Sequence, residues 1–393
     1  MPISAHRALR TTARGLIVAL FLLAFGRAEA QALVKVNDSI NFRLGVLLQA
    51  QEDWQEIANA TNDGSGGYQQ NMLVRRARFI LGGQVAKNVF FYFDTENGNL
   101  GKSTQAVGGT TGGKALGSGF NLLDAVGEWR IAKEFNIQAG EILVPTNRWI
   151  LTSSGATFML DQSAYNNVYT AGLQNNTGRD TGFMARGFLF CDRLEYRSAF
   201  LSGFRAPGVK NAPRFTEWLQ WNFFDTEVYN MPSYTGVNYG NKKILALAGG
   251  YDMQSDYRLA SANLYLDFPI PLGSFESTTV YQYIKGGNLI TTLPEENTFS
   301  IEAGVFLRDL KFAPIARYEQ KTFNQTANEF KNENRYAVGL NYYPYPKTGN
   351  AFNVKFWWQR VGVKCSVATN PCPAGSRNFA TNEFTVQMQV AYF

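Results

Sequence analysis

From position 40 onward the chain alternates. Ile40, Phe42, Leu44, Val46 and Leu48 interleave with Asn41, Arg43, Gly45, Leu47 and Gln49, the period of a strand whose two faces meet different surroundings. The same pattern recurs where Val89, Phe91 and Phe93 oppose Phe90, Tyr92 and Asp94, and where Leu123, Ala125, Gly127, Trp129 and Ile131 oppose Asp124, Val126, Glu128 and Arg130. It returns at Phe299 to Arg308 and at Arg335 to Tyr342. Runs of about ten residues suit tilted strands that cross a bilayer. Counted along the chain, they predict about sixteen, at 39–51, 72–85, 88–96, 121–132, 134–142, 181–190, 194–203, 214–224, 243–252, 257–268, 274–285, 297–308, 311–321, 334–344, 350–363 and 379–392.

The links between these strands alternate in length. Those at 86–87, 133, 191–193, 269–273, 309–310 and 345–349 are tight, whereas those at 52–71, 97–120, 143–180, 286–296, 322–333 and 364–378 are long and polar. Short turns on one rim and long loops on the other are the signature of an all-β, transmembrane antiparallel barrel with its long loops outside. Two links break the rule: 225–242 is long where a turn is due, and 253–256 is short where a loop is due. Aromatic clusters at Phe90 to Phe93, Tyr342-Tyr343-Tyr345 and Phe356-Trp357-Trp358 fall where interfacial girdles are expected. A soluble propeller would repeat every 40 to 50 residues, and no such period is present.

Composition agrees once the alternation is known. Hydrophobic residues are 45% of the chain, yet mean hydropathy is only -0.21, because every second strand position is polar. Beyond the first thirty positions there is no uninterrupted apolar run of about 20 residues, which argues against helical spanning. The beginning reads differently. Arg7, Arg10 and Arg14 precede the apolar run Gly15 to Gly26, followed by Ala28-Glu29-Ala30. This predicts a signal peptide over 1–30, cleaved before Gln31, and a barrel over 31–393. Its removal lowers the formal net charge from +6 to +3, too little to indicate a nucleic-acid partner.

Cleavage also removes His6, the only histidine, and with it any histidine-based triad or histidine-ligated metal site. No spacing singles out an acid–base pair, so no enzyme activity, cofactor or metal is expected. Cys365 and Cys372 flank a stretch with Pro371, Pro373 and Gly375 and suit a small disulfide in an oxidising compartment, leaving Cys191 over.

Several segments are familiar in combination: Ile40 to Gln51 (INFRLGVLLQAQ), Leu73-Val74-Arg75-Arg76-Ala77-Arg78, Leu123 to Arg130 (LDAVGEWR), Ile137-Gln138-Ala139-Gly140-Glu141 with Pro145 and Arg148, and Arg179-Asp180-Thr181-Gly182. Together they resemble the phosphate-selective porin O/P family, in order along the chain and best in its first half. The resemblance implies an outer-membrane barrel of sixteen strands, usually a homotrimer, whose third extracellular loop folds inward to narrow the pore while lumen arginines draw anions in. Segment 143–180 stands where that loop belongs, with Arg148, Asp161, Tyr165 and Arg179 as constriction residues. It has no lysine, a departure from a phosphate trap.

The lumen phase holds Arg43, Arg76, Arg78, Arg130, Arg186 and Arg197, together with Arg317, Arg335 and Lys355. Asp94, Glu96, Asp124, Glu128, Glu195, Glu302, Glu319 and Glu383 share that phase. Each arginine is thus either a source of anion-attracting field or a wall residue paired across strands. Arg43, Arg76 and Arg78, on neighbouring strands, are the expected centre of a positive field. The function expected is passive diffusion of small hydrophilic solutes, with a preference for anions such as phosphate left open. The alternative is a barrel that serves as a binding or adhesive surface through its long loops.

Overall fold

Alternation along the chain becomes two unlike surfaces of one closed sheet. The computed structural model describes residues 32–57, 67–102, 119–166, 177–205, 212–227, 233–291, 293–324, 331–365 and 379–392. The predicted signal peptide lies outside the described residues. A short strand β1 (Ala32–Lys35) is followed by β2 (Asn41–Ile57), β3 (Gly67–Ala86), β4 (Val89–Leu100), β5 (Asn121–Arg130) and β6 (Asn136–Leu143). A one-turn helix α1 (Arg148–Leu151) precedes β7 (Arg179–Leu189), β8 (Leu194–Leu201), β9 (Arg214–Asn222), β10 (Ile244–Gln254) and β11 (Tyr257–Ile270). The barrel is completed by β12 (Gly273–Lys285), β13 (Glu296–Leu307), β14 (Phe312–Phe323), β15 (Lys331–Tyr342), β16 (Phe352–Cys365) and β17 (Phe379–Tyr392).

Strands β2 to β17 pair antiparallel in sequence order, and β17 returns to β2, where Tyr392 opposes Val46 and Glu383 opposes Gln55. That closure makes sixteen strands and leaves no free edge. Strand β1, which the periodicity did not predict, lies on the same edge of β2, with Ala32 opposite Leu44. It continues the line of β17.

One rim carries tight turns, such as Lys87-Asn88, where Asn88 takes φ 64°, a conformation that asparagine tolerates better than most side chains. Both predicted exceptions are real. The β9–β10 link spans 223–243 on the tight-turn rim, and β10 and β11 are joined on the other rim by Ser255-Asp256 alone.

The outward face is apolar, with Leu48, Phe79, Phe183, Leu219, Leu247, Val338, Phe384 and Val390 exposed. The inward face is polar: Gln49, Arg186, Gln282, Ser300, Asn353, Gln387 and Gln389 are buried inside. Not every predicted girdle residue faces out. Tyr343 and Trp357 turn inward into a cluster with Phe158, Met159, Phe306 and Ile315, because period two sends one of each adjacent aromatic pair to the lumen. An arginine at Leu247, which is 52% exposed on the outer wall, should cost about 2–4 kcal/mol of folding free energy in lipid vesicles. Urea titration of the Leu247→Arg barrel would contradict the lipid-facing assignment if its midpoint matched that of the parent.

Candidate functional site

The segment after β6 folds into the barrel, and its polar atoms meet inward-facing residues from most of the wall. At its start Asn147 caps α1, its Oδ1 accepting from the Ile150 amide at 3.0 Å. Its Nδ2 donates to Gln282 on β12 at 2.8 Å. The Arg148 amide donates to Asn263 on β11 at 3.0 Å, and Trp149 Nε1 to Ser300 on β13 at 2.9 Å. On β10, Gly250 leaves the space this entry needs, since a Cβ there would lie 2.0 Å from the Thr146 carbonyl oxygen.

Further along, backbone carbonyls accept from the opposite wall. Gln389 on β17 donates to Gly155, Asn341 on β15 to Phe158, and Lys355 Nζ on β16 to both Thr157 and Met159 at 2.7 and 2.6 Å. The Ala164 amide donates to Glu319 at 2.9 Å, and Arg335 Nε donates to the Tyr165 hydroxyl at 3.0 Å. These bonds supply partners for a loop backbone removed from water.

The loop meets β3 at Asp161, which two consecutive arginines grip. Arg75 Nη2 lies 2.7 Å from one carboxylate oxygen and Arg76 Nη2 2.8 Å from the other. Consecutive strand residues normally face opposite sides. Here the β2–β3 register slips at Gln49/Ala50, so that Arg76 opposes Gln49, Val74 opposes Ala50 and Arg75 opposes no residue. This β-bulge turns the extra residue inward beside its neighbour. Burial opposes the Asp161 charge, yet Arg76 and Arg75 hold its carboxyl far below the usual carboxylate range. The clasp is therefore intact above the ordinary carboxylate pKa and lost only as pH falls far below it.

Most arginines along the wall are paired with carboxylates. Arg78 bonds Glu96 at 2.6 Å and Asp94 at 3.2 Å, Arg179 bonds Asp124 at 2.9 Å, and Arg186 bonds Glu128. Arg197 pairs with Glu195 at 2.8 Å, Arg317 with Glu302 at 2.6 Å, and Arg130 with Glu128 at 2.9 Å. Arg214 sits between Asp252 and Asp180 at 2.5 and 3.1 Å. Arg148 makes a bidentate pair with Glu227 at 2.8 and 2.7 Å, both side chains 2% exposed.

Of the residues expected from sequence, Arg76, Arg78, Asp161 and Arg179 come together, and Tyr165 lies further along the same loop. Arg43 does not join them. It is exposed and pairs in register with Gly82, four positions beyond Arg78 on β3, so the three-arginine field reduces to Arg76 and Arg78. Arg148 belongs to the loop but is sequestered by Glu227. Of the disulfide expected between Cys365 and Cys372, Cys372 lies outside the described residues, and Cys191 is free and exposed. Arg75, Arg214 and Glu227 were missed: a bulge hides Arg75 from the period-two reading, and Glu227 lies in a link with no period at all. Among the described residues no group of three or more His, Cys, Asp or Glu side chains is placed to hold a metal.

Between loop and wall lie two cavities. One, of about 380 Å³, is lined by Asp53, Lys102, Asp161, Arg335 and Glu383 among others. The other, of about 340 Å³, is lined by Arg78, Asp94, Asp124, Arg179 and the hydroxyl residues Thr152, Ser153 and Ser154. Both include Arg75, Arg76, Asn99 and Gln162 in their lining, so both adjoin the arginines of the Asp161 clasp.

A closed sixteen-stranded barrel with an apolar exterior, a polar interior and a loop folded across its lumen defines the porin class of fold. Solved structures agree. The chain superposes on OmpF of Salmonella typhi in complex with daunomycin (13% identity, 91% of this chain and 99% of that one, TM-score 0.57). It also superposes on the outer membrane channel DcaP of Acinetobacter baumannii (11%, 91% and 99%, 0.56) and on an anion-selective porin from Comamonas acidovorans (11%, 89% and 99%, 0.54). At these identities the likeness is one of fold. No protein-family model matches the chain, and no curated protein matches it in sequence.

Lys355 offers a direct check on the loop's anchoring. Lys355→Met should leave the Thr157 and Met159 carbonyls without their donor at a cost of about 1–3 kcal/mol. Limited proteolysis within 144–166 should then quicken while the barrel keeps its folded mobility on a cold detergent gel. Cleavage at the parent's rate would remove Lys355 as an anchor.

Proposed function

We propose that this protein is a passive channel of the bacterial outer membrane for small hydrophilic solutes, and not an enzyme. The observation that carries the reading is the narrowed polar lumen, where the 144–166 loop leaves cavities of about 340 and 380 Å³ against the wall. Export with cleavage of residues 1–30, and assembly as a homotrimer, belong to the same proposal. The comparisons support it through the fold alone.

Charge preference follows from the pairing. A strong anion trap such as phosphate selectivity requires fixed positive charge left uncompensated in a narrow passage. Here Arg75 and Arg76 share Asp161, Arg78 faces Asp94 and Glu96, and Arg179 faces Asp124. These four arginines meet four carboxylates. The preference for anions is accordingly weak, and solute size and hydrogen bonding to the hydroxyl-rich loop do most of the sorting.

Single-channel recording of the refolded barrel under a potassium chloride gradient tests this. Stable steps are expected, with a chloride-to-potassium permeability ratio within about threefold of unity. Asp161→Asn keeps the side chain's shape but removes one negative charge from between Arg75 and Arg76, leaving one positive charge in excess there, and should raise that ratio at least about twofold. A strongly chloride-selective parent current blocked by low phosphate would overturn the neutral-lumen reading. Absence of any conductance would favour the loops as a binding surface.

A further inference from the structure

We propose that residues 233–240 of the β9–β10 link form a second inward-folded pore segment, which supports the 144–166 loop and forms a lip of the passage on the side of the tight-turn rim. The inference rests on the channel reading for its consequence, although the packing stands apart from it. The link and the loop join by backbone: the Tyr234 amide donates to Leu151 at 2.6 Å, and the Ser153 amide donates to Tyr234 at 3.1 Å. Gly236 brings the two chains into contact, since a Cβ there would lie 2.1 Å from the Ala156 carbonyl oxygen.

Side chains fix the same arrangement. Glu227 takes both arms of Arg148, whose guanidinium lies 3.4 Å from the Tyr265 ring centre. The Tyr234 hydroxyl accepts from Trp218 Nε1 and donates to Glu195, each at 3.0 Å. Tyr239 meets the Phe306 and Tyr343 rings edge-on at 5.2 and 5.4 Å. Its neighbour Val237 joins the same cluster with Phe158 of the loop, so apolar contacts fill the space between link and loop at β13 and β15. What stays open is the cavity that Ser233, Tyr234 and Thr235 line together with Arg78 and Arg179. Thr235 is exposed there, so a solute crossing this cavity passes the link as well as the loop.

The test uses the full barrel with Cys191, Cys365 and Cys372 replaced by serine and Thr235→Cys added. A bulky methanethiosulfonate applied from the tight-turn side should lower the single-channel step by roughly a third or more, leaving the cysteine-free parent unchanged. An unchanged step on a channel shown by mass spectrometry to be labelled overturns the lip, and so does a thiol that no reagent reaches. Should the parent pass no current at all, the channel reading fails, and the docking is judged by oxidising the Thr152→Cys/Tyr234→Cys protein. These two positions are bridge partners. A cross-linked band upholds the docking of link on loop, and its absence overturns it.

Discussion

Burying a guanidinium group is costly unless a carboxylate and further hydrogen bonds surround it, and the lumen of this barrel is organised by that constraint. Arg148, Arg186, Arg197 and Arg214 are each at most 2% exposed, and each has a carboxylate partner within 3.1 Å. Some partners are on nearby strands: Arg186 on β7 reaches past β6 to Glu128 on β5, and Arg317 on β14 meets Glu302 directly opposite on β13. Others tie distant segments together, as when Asp161 brings the loop to β3 and Glu227 brings the β9–β10 link to α1. The same pairing that makes buried charge tolerable therefore decides where the inward segments lie.

Loops that leave water must find partners for their backbone, and the wall is equipped to provide them. Gln389, Asn341 and Lys355 lie on strands β17, β15 and β16 and aim donors at consecutive parts of one loop. Polar residues with long or amide side chains at inward positions are thus as much loop anchors as pore lining. This accounts for a lumen rich in Gln and Asn rather than in free charge.

Much of the fold was legible because closure makes period two obligatory: each inward residue needs an outward neighbour, so strand number and even the two irregular links at 225–242 and 253–256 could be read from the residues. Shared phase put Arg78 and Asp94, and Arg197 and Glu195, on the inward face but left open whether each arginine was paired; the structure pairs them, Arg78 across β3 and β4 and Arg197 within β8. Bulges broke the reading. The slip at Gln49/Ala50 brings Arg75 inward, and the slip at Asp94/Thr95 buries Leu123 beside Asp124, although strict alternation puts Leu123 outside. The Arg148–Glu227 pair was illegible for another reason. Its partners are separated by three strands and lie on segments without periodicity, so only the closed barrel brings them within reach.

If the barrel is the channel proposed, rigid pairing has a consequence for transport. A guanidinium engaged on two sides by carboxylates cannot reorient toward a passing anion without leaving a buried charge unpaired, which costs several kcal/mol. A channel lined in this way cannot hold a solute tightly, and weak binding is what lets a solute leave as readily as it enters. Support of the loop from both rims adds to this, because a constriction held by Asp161 on one side and by Tyr234 and Glu227 on the other has little freedom to widen. On the proposed channel function, throughput is limited by the width that the two inward segments leave, and charge acts mainly to keep that width constant.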